Sequence, residues 1–211
     1  MSKIEYSYLL ENLEELFPNA GCELIYHNIY ELCIAVMISA QTTDKKVNTV
    51  TPTLFEKYPD VYSLSKANVF DVEQIIKSIG LAKTKAKNMV SFANMIIEKH
   101  NGIIPNDFDS LILLPGIGRK TANVVLSEGF KIMRIAVDTH VDRTSKRLGL
   151  SDQSSSVLQV EYDLMEYFPK DLWHKAHHLL LFFGGYLCKS QNPECVRCPF
   201  KEYCMKDKIR H

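Results

Sequence analysis

Four of the six cysteines in this 211-residue chain, Cys188, Cys195, Cys198 and Cys204, crowd into its last 24 residues as C-x6-C-x2-C-x5-C. Close thiols of this kind hold a metal or an iron–sulfur centre as thiolates. In a cytosolic chain the reducing thiol pool disfavours disulfides. Zinc sites usually present two separated C-x2-C pairs, and only one is present here, so iron–sulfur leads zinc, with unliganded thiols as the plain alternative. Pro193 and Pro199 favour tight turns that let the sulfurs converge. Cys22 and Cys33 lie far away, and Cys33, in an apolar helical run, reads as a core residue.

The string LLPGIGRKTANVVL carries a second kind of chemistry. Two short helices joined by Pro-Gly-Ile-Gly leave Gly116 and Gly118 free to take φ > 0 and keep the backbone bare. Backbone N–H groups at such a turn, with the start of the next helix, make an anion site. Such a site holds a nucleic-acid phosphate without reading sequence. Arg119 and Lys120 sit beside that anion, and Ala122 lets helices approach closely. The plain alternative is an ordinary helix–helix turn.

Lys120 and Asp138 are the residues that could act on a bound substrate. A lysine in the first turn of a helix lies at the positive dipole end, which favours the neutral amine. A neutral amine is a nucleophile that forms Schiff bases. The plain reading of Lys120 is a surface lysine on phosphate. Asp138, in AVDTH, follows an apolar stretch and precedes a helix, so its plain reading is an N-cap.

The elements that must position these residues are helices. Apolar spacing predicts helices over 6–16, 28–40, 44–58, 68–78, 82–100, 107–113, 119–129, 138–148, 156–168 and 171–183. Asp44 is the expected N-cap of the third, and Pro52 is expected to kink or split it. The segment 28–40 is apolar on most sides, Gly80-Leu81 marks a chain reversal, and strand alternation is confined to a stretch near 131–137. The fold class is all-α.

Composition agrees with a folded, water-exposed protein: hydrophobic residues are 46% and charged residues 24% of the chain. No apolar run is long enough for a transmembrane helix. The start, MSKIEYSYLLENLEELFP, mixes acids with apolar residues and lacks a small-residue cleavage site. The expected location is cytoplasmic, nucleoid-associated in a prokaryote. The net charge is zero but segregated. Residues 1–80 carry 6 basic and 11 acidic side chains, 115–150 carry 7 and 3, and 188–211 carry 6 and 3. A bulk polycation is excluded, while one anion-facing surface built from two chain regions is allowed.

LPGIGRKTANVVL, then IAVDTHVDR, then C-x6-C-x2-C-x5-C, in that order, resembles the endonuclease III family of DNA glycosylases, members of the helix-hairpin-helix superfamily. The similarity runs from ISAQTTD at 38–44 to Cys204. It implies two helical domains with a DNA cleft between them. One is a helical barrel at 22–132 with the hairpin at about 107–129. The other joins 1–21 to 133–211 and carries a [4Fe-4S] cluster on Cys188, Cys195, Cys198 and Cys204. It implies that Lys120 attacks the sugar C1′ and that Asp138 assists. The reaction would be N-glycosylase plus AP lyase on oxidised pyrimidines and abasic sites in double-stranded DNA. Glycosylases that use only an activated water lack this lysine. A relative acting on mismatched adenine usually has a further C-terminal domain, which this chain is not expected to carry.

Base flipping needs residues that fill the gap in the stack. The resemblance assigns this to Gln41 and Leu81, and places Asp44 and His140 near the lesion pocket. Gly116, Gly118 and Arg119 would hold the DNA backbone. Lys83, Lys85 and Lys87 are further candidates to line its path, although their i, i+2 spacing keeps all three from facing it. Lys189, Arg197 and Lys201 suggest a cluster loop presented to DNA, and the cluster is expected to be structural. Trp173, His174, His177 and His178 read as packing and solvent-facing residues. Asp142 departs from the bulky or differently charged residue common in relatives. The expected state is a monomer. The alternative function is a non-catalytic DNA-binding or redox-sensing iron–sulfur protein.

Overall fold

The computed structural model describes residues 4–205. The outermost residues of the expected cluster domain, 1–3 and 206–211, lie outside them. Among the described residues there are eleven α-helices and no strand. In chain order they are α1 Tyr6–Leu16, α2 Ile29–Ser39, α3 Asp44–Lys57, α4 Val61–Ser65, α5 Val69–Ile75 and α6 Ala82–His100. Then come α7 Phe108–Ile112, α8 Arg119–Val124, α9 Thr139–Arg147, α10 Val157–Tyr167 and α11 Trp173–Phe182. Both α8 and α11 run on into one turn of π-helix, Val125–Gly129 and Phe183–Leu187. Residues 131–137 form no strand, and Lys131 is left-handed with φ 57.

The chain divides into two compact units, Glu23–Ile132 and Met1–Cys22 with Met133–His211. In the first, α2 is buried at every position from Tyr30 to Ile38, as its apolar sequence, interrupted only by Glu31, demands. Phe92, Ile96, Leu54, Leu64 and Ile76 are fully buried in the same unit. In the second, α1, α9, α10 and α11 share a core of Leu9, Leu13, Val141, Val160, Leu164, Leu180 and Phe183. Phe200, inside the cysteine loop, is also fully buried there and meets Phe183 edge-on at 5.5 Å. That ring anchors an otherwise irregular loop to the helical core.

Three local expectations are corrected. The N-cap of α3 is Thr43, whose hydroxyl accepts from the Lys46 N–H, so Asp44 is the first helical residue. Helix α3 also runs unbroken through Pro52. Val47, Val50, Thr51 and Leu54 are buried on both sides of the proline, which faces out. Their packing offsets the lost hydrogen bond. Helix α4 was not expected, because five residues are too few to show a period. Its signal is the cap: Asp60 accepts from Ser63 N, and Ser63 returns a bond to the Asp60 N–H.

Candidate active site and cluster loop

In the unit 23–132, the hairpin is built from α7, a turn and α8. Asp107 caps α7 by accepting from the Ser110 N–H at 2.8 Å. Leu114 and Ile117 bury on either side of Gly116, while Leu113 is 75% exposed. Gly116 has φ +81, and a Cβ there would lie 2.6 Å from Met37 Cε and 3.0 Å from Asn88 Cβ. It is glycine for two reasons, conformation and the closeness of α2 and α6. Gly118 corrects the expectation of a second positive φ. It caps α8 in an extended conformation, φ −94, and a Cβ there would meet nothing within 4 Å. What it contributes is open backbone.

Lys120 is exposed in the first turn of α8. Arg119 is half-buried, its guanidinium 4.8 Å from the centre of the Phe108 ring. That stacking fixes the arginine across the two arms of the hairpin. Ala122 is fully buried.

Two further turns of this unit carry residues in the left-handed region. Gln41 follows the C-cap Ala40 of α2 with φ 59, and Leu81 precedes α6 with φ 61. Each such conformation costs roughly 1–2 kcal/mol for a residue with a Cβ. Gln41 is exposed, and Leu81 is 60% exposed. A leucine both strained and turned out to solvent has no reason in the core to be there. Asp44, just beyond Gln41, is half-buried at the start of α3. Of the three lysines of the α6 start, Lys83 and Lys87 are exposed, but Lys85 is buried. It therefore does not line a surface path. Its Nζ donates to the Ile38 and Ala40 carbonyls at 2.8 and 2.6 Å.

In the other unit, Asp138 is half-buried and caps α9, its Oδ1 accepting from His140 N and Val141 N at 2.9 Å each. That leaves Oδ2 outside the cap. His140 is half-buried, with Nδ1 3.3 Å from an Arg143 Nη2. Arg143 Nη2 also donates to the Gly184 carbonyl at 2.6 Å, and its Nε to the Cys188 carbonyl at 3.1 Å. One arginine thus ties the start of α9, the π-turn and the first cysteine. Burial, with Arg147 close by, lowers its pKa. Asp142 is ion-paired with Lys146 at 2.8 Å. His177 and His178 are buried and stack edge-on at 4.9 Å. They are packed, not solvent-facing.

Cys188 is buried, Cys198 and Cys204 half-buried and Cys195 exposed. The Cys198 thiol is pushed up to about 11, first by burial and then by the nearby Cys188, Cys204 and Cys195 sulfurs. The four therefore converge, and ionising them together needs a cation. Arg147 donates to Cys188 Sγ at 3.3 Å and to the Cys188 and Lys189 carbonyls. Glu194, unremarked in the sequence, accepts from both Lys189 and Arg197, at 2.9 and 2.8 Å. Two of the three expected basic contacts are thus engaged within the loop, and Lys201 stays exposed. Val196, between two cysteines, is 98% exposed.

Residues 34–170 match the family model of HhH-GPD superfamily base excision DNA repair proteins. Endonuclease III of Bacillus subtilis is 48% identical over 206 residues, covering 98% of this chain and 94% of the relative. Endonuclease III of Escherichia coli is 37% identical over 210 residues, 99% of each. A solved structure of a trapped endonuclease III–DNA covalent intermediate, an estranged-adenine complex, superposes with a TM-score of 0.94 at 48% identity. It covers 100% of this chain and 99% of its own. A thermostable thymine-DNA glycosylase, 20% identical with a TM-score of 0.80, shares the fold.

Proposed function

Because the chain belongs to the endonuclease III family of the HhH-GPD superfamily, we propose that Lys120 is the nucleophile of a bifunctional DNA repair reaction. The protein is a DNA glycosylase and AP lyase of base excision repair. Its substrate is double-stranded DNA carrying oxidised pyrimidines or abasic sites. The observation that carries the reading is the hairpin. Gly116 is wedged against Met37 and Asn88, Gly118 leaves open backbone, and Lys120 stands exposed in the turn that follows.

The Lys120 Nζ lone pair attacks C1′, and the C1′–N glycosidic bond breaks with its electrons leaving on the base, which gains a proton. The sugar ring opens as the amine becomes an imine. Protonation of that imine acidifies the C2′ proton. Its removal expels the 3′-phosphate by β-elimination, and water then releases the sugar from Lys120. Asp138, whose Oδ2 is not used by the cap, takes the amine proton or stabilises positive charge on the sugar. Backbone N–H groups of the Gly116–Gly118 turn and the Arg119 side chain hold a phosphate, so one element both binds and aligns. Gln41 and Leu81 enter the stack where the base has left, and Asp44 and His140 lie by the lesion.

The cysteine quartet fits a [4Fe-4S] cluster. Its four thiols lie near one another in one loop, and Arg147 is placed to offset thiolate charge. When bound, the cluster supplies the positive charge that keeps the thiolates ionised and the loop folded. Cys188, Cys195, Cys198 and Cys204 would hold it, while Lys201 and Val196 remain on the loop surface for DNA.

Borohydride trapping tests the reading. Protein and a duplex with one thymine glycol are mixed with the reductant, with Lys120→Ala alongside. A covalent complex in the parent protein, absent in the variant, supports it. No complex and no cleavage of lesion or abasic duplex, with binding intact, would favour a non-catalytic DNA-binding protein.

A further inference from the structure

Lys85 is a buried cation whose bonding partners are backbone, not carboxylate. Its Nζ donates to the carbonyls of Ile38 and Ala40, in the last turn and C-cap of α2. These carbonyls have no successor within the helix, and they carry the negative end of its dipole. The backbone N–H of the same residue donates to the Leu81 carbonyl at 3.0 Å. One residue is therefore bonded at one end to the residue before Gln41 and at the other to Leu81 itself. Gln41 and Leu81 are both exposed and both left-handed.

We propose that Lys85 is a positioning residue for base extrusion, a clamp that holds the Gln41 and Leu81 turns at one spacing so that both enter the duplex together. The inference rests on the DNA-repair reading given above. Two turns that must act together gain from a direct tie, because independent loops would each lose conformational freedom on binding. The tie also keeps two strained conformations from relaxing. A buried ammonium between two carbonyls is held more firmly than a surface lysine, since the alternative is an unsatisfied polar group in the interior. Burial also lowers the Lys85 pKa, but a neutral amine still donates to both carbonyls, so the clamp does not depend on the charge.

The test uses the full chain loaded with its cluster. Lys85→Met keeps the aliphatic stem and removes the donors, and Lys85→Arg restores donors on a different geometry. Single-turnover base release is measured on thymine glycol in a perfect duplex and in a short unpaired bubble, where extrusion is already largely done. With Lys85→Met we expect a loss of about tenfold or more on the duplex and under about threefold on the bubble. We expect partial recovery on the duplex with Lys85→Arg. A 2-aminopurine base beside the lesion should brighten less on binding the Met variant than on binding the parent protein. Equal losses on both substrates, or no loss on the duplex, overturn the proposal. Should Lys85→Met fail to fold, Lys85→Gln, with one amide donor, is read on the same pair of substrates. A parent protein that releases no base from either substrate would instead sink the repair reading.

Discussion

The backbone of Gly184 lies directly against His140: a Cβ at Gly184 would stand 2.8 Å from the His140 Cβ and 2.9 Å from its carbonyl oxygen. His140 is two residues after Asp138 and donates its N–H to the Asp138 carboxylate. The glycine in the π-turn therefore sets how closely that turn approaches the start of α9. Arg143 completes the arrangement by donating to the Gly184 carbonyl.

Gly184→Ala should force the start of α9 outward, because the atoms it meets are backbone or held by backbone. Overpacking of this kind costs about 1–3 kcal/mol. The expected result is a lower midpoint in chemical denaturation and a larger fall in base release than in DNA affinity. Unchanged stability and turnover would show that the contact is easily relieved.

Gly116→Ala and Gly118→Ala should separate. The first meets a positive φ and two close side chains, costing about 1–2 kcal/mol for conformation plus a repacking cost. The second has neither problem and loses only the N-cap preference for glycine over alanine, so its stability should fall by about 0.5–1 kcal/mol. If open backbone at Gly118 faces a phosphate, its substitution should still weaken DNA binding. Denaturation and duplex affinity on both variants check this.

Arg147→Met should leave the cysteine loop less protected. It removes the donor to Cys188 Sγ and two donations to carbonyls. Loss of outer bonds to a ligand typically weakens metal retention about 10–100-fold. With the proposed cluster bound, the expected outcome is faster bleaching of visible absorbance and a faster fall in iron content on exposure to oxidant, with Arg147→Lys intermediate. Equal retention in all three would remove Arg147 from this role.

Asp107→Ala should destabilise the hairpin, by about 0.5–2 kcal/mol as for a lost N-cap, lessened by its exposure to solvent. The Ser110 N–H and hydroxyl hold the Asp107 carboxyl below its ordinary 3.8. A carboxylate with a depressed folded pKa stabilises above the unfolded value. That contribution is lost as pH falls through the folded value. The stability difference between parent and variant should therefore be full at neutral pH and shrink below about pH 4. A difference that stays constant down to pH 2 would exclude the charged cap as its source.

Much of this molecule is local in origin, and local features are legible. The hairpin at 107–129, the cap at Asp138 and the cysteine spacing are set by neighbours within a few residues. Turn chemistry and capping act over that range. The exposed turn at Leu81 was readable from Gly80-Leu81 for the same reason. The features that escaped are those decided by distant packing. Lys85 reads as one of three surface lysines until α6 lies against the end of α2. Arg147 reads as an ordinary base at a helix end until Cys188, far along the chain, packs against it. Pro52 reads as a break until buried neighbours hold both halves of α3 in place.

The sequence by itself determined the helical class, the hairpin with its lysine and the four-thiol loop, because each rests on residue types at fixed short spacing. Only the tertiary structure decided which glycine must be left-handed, which lysine is buried and which carbonyls it bonds. Those choices depend on the space and the unpaired donors and acceptors left when segments far apart in the chain pack together.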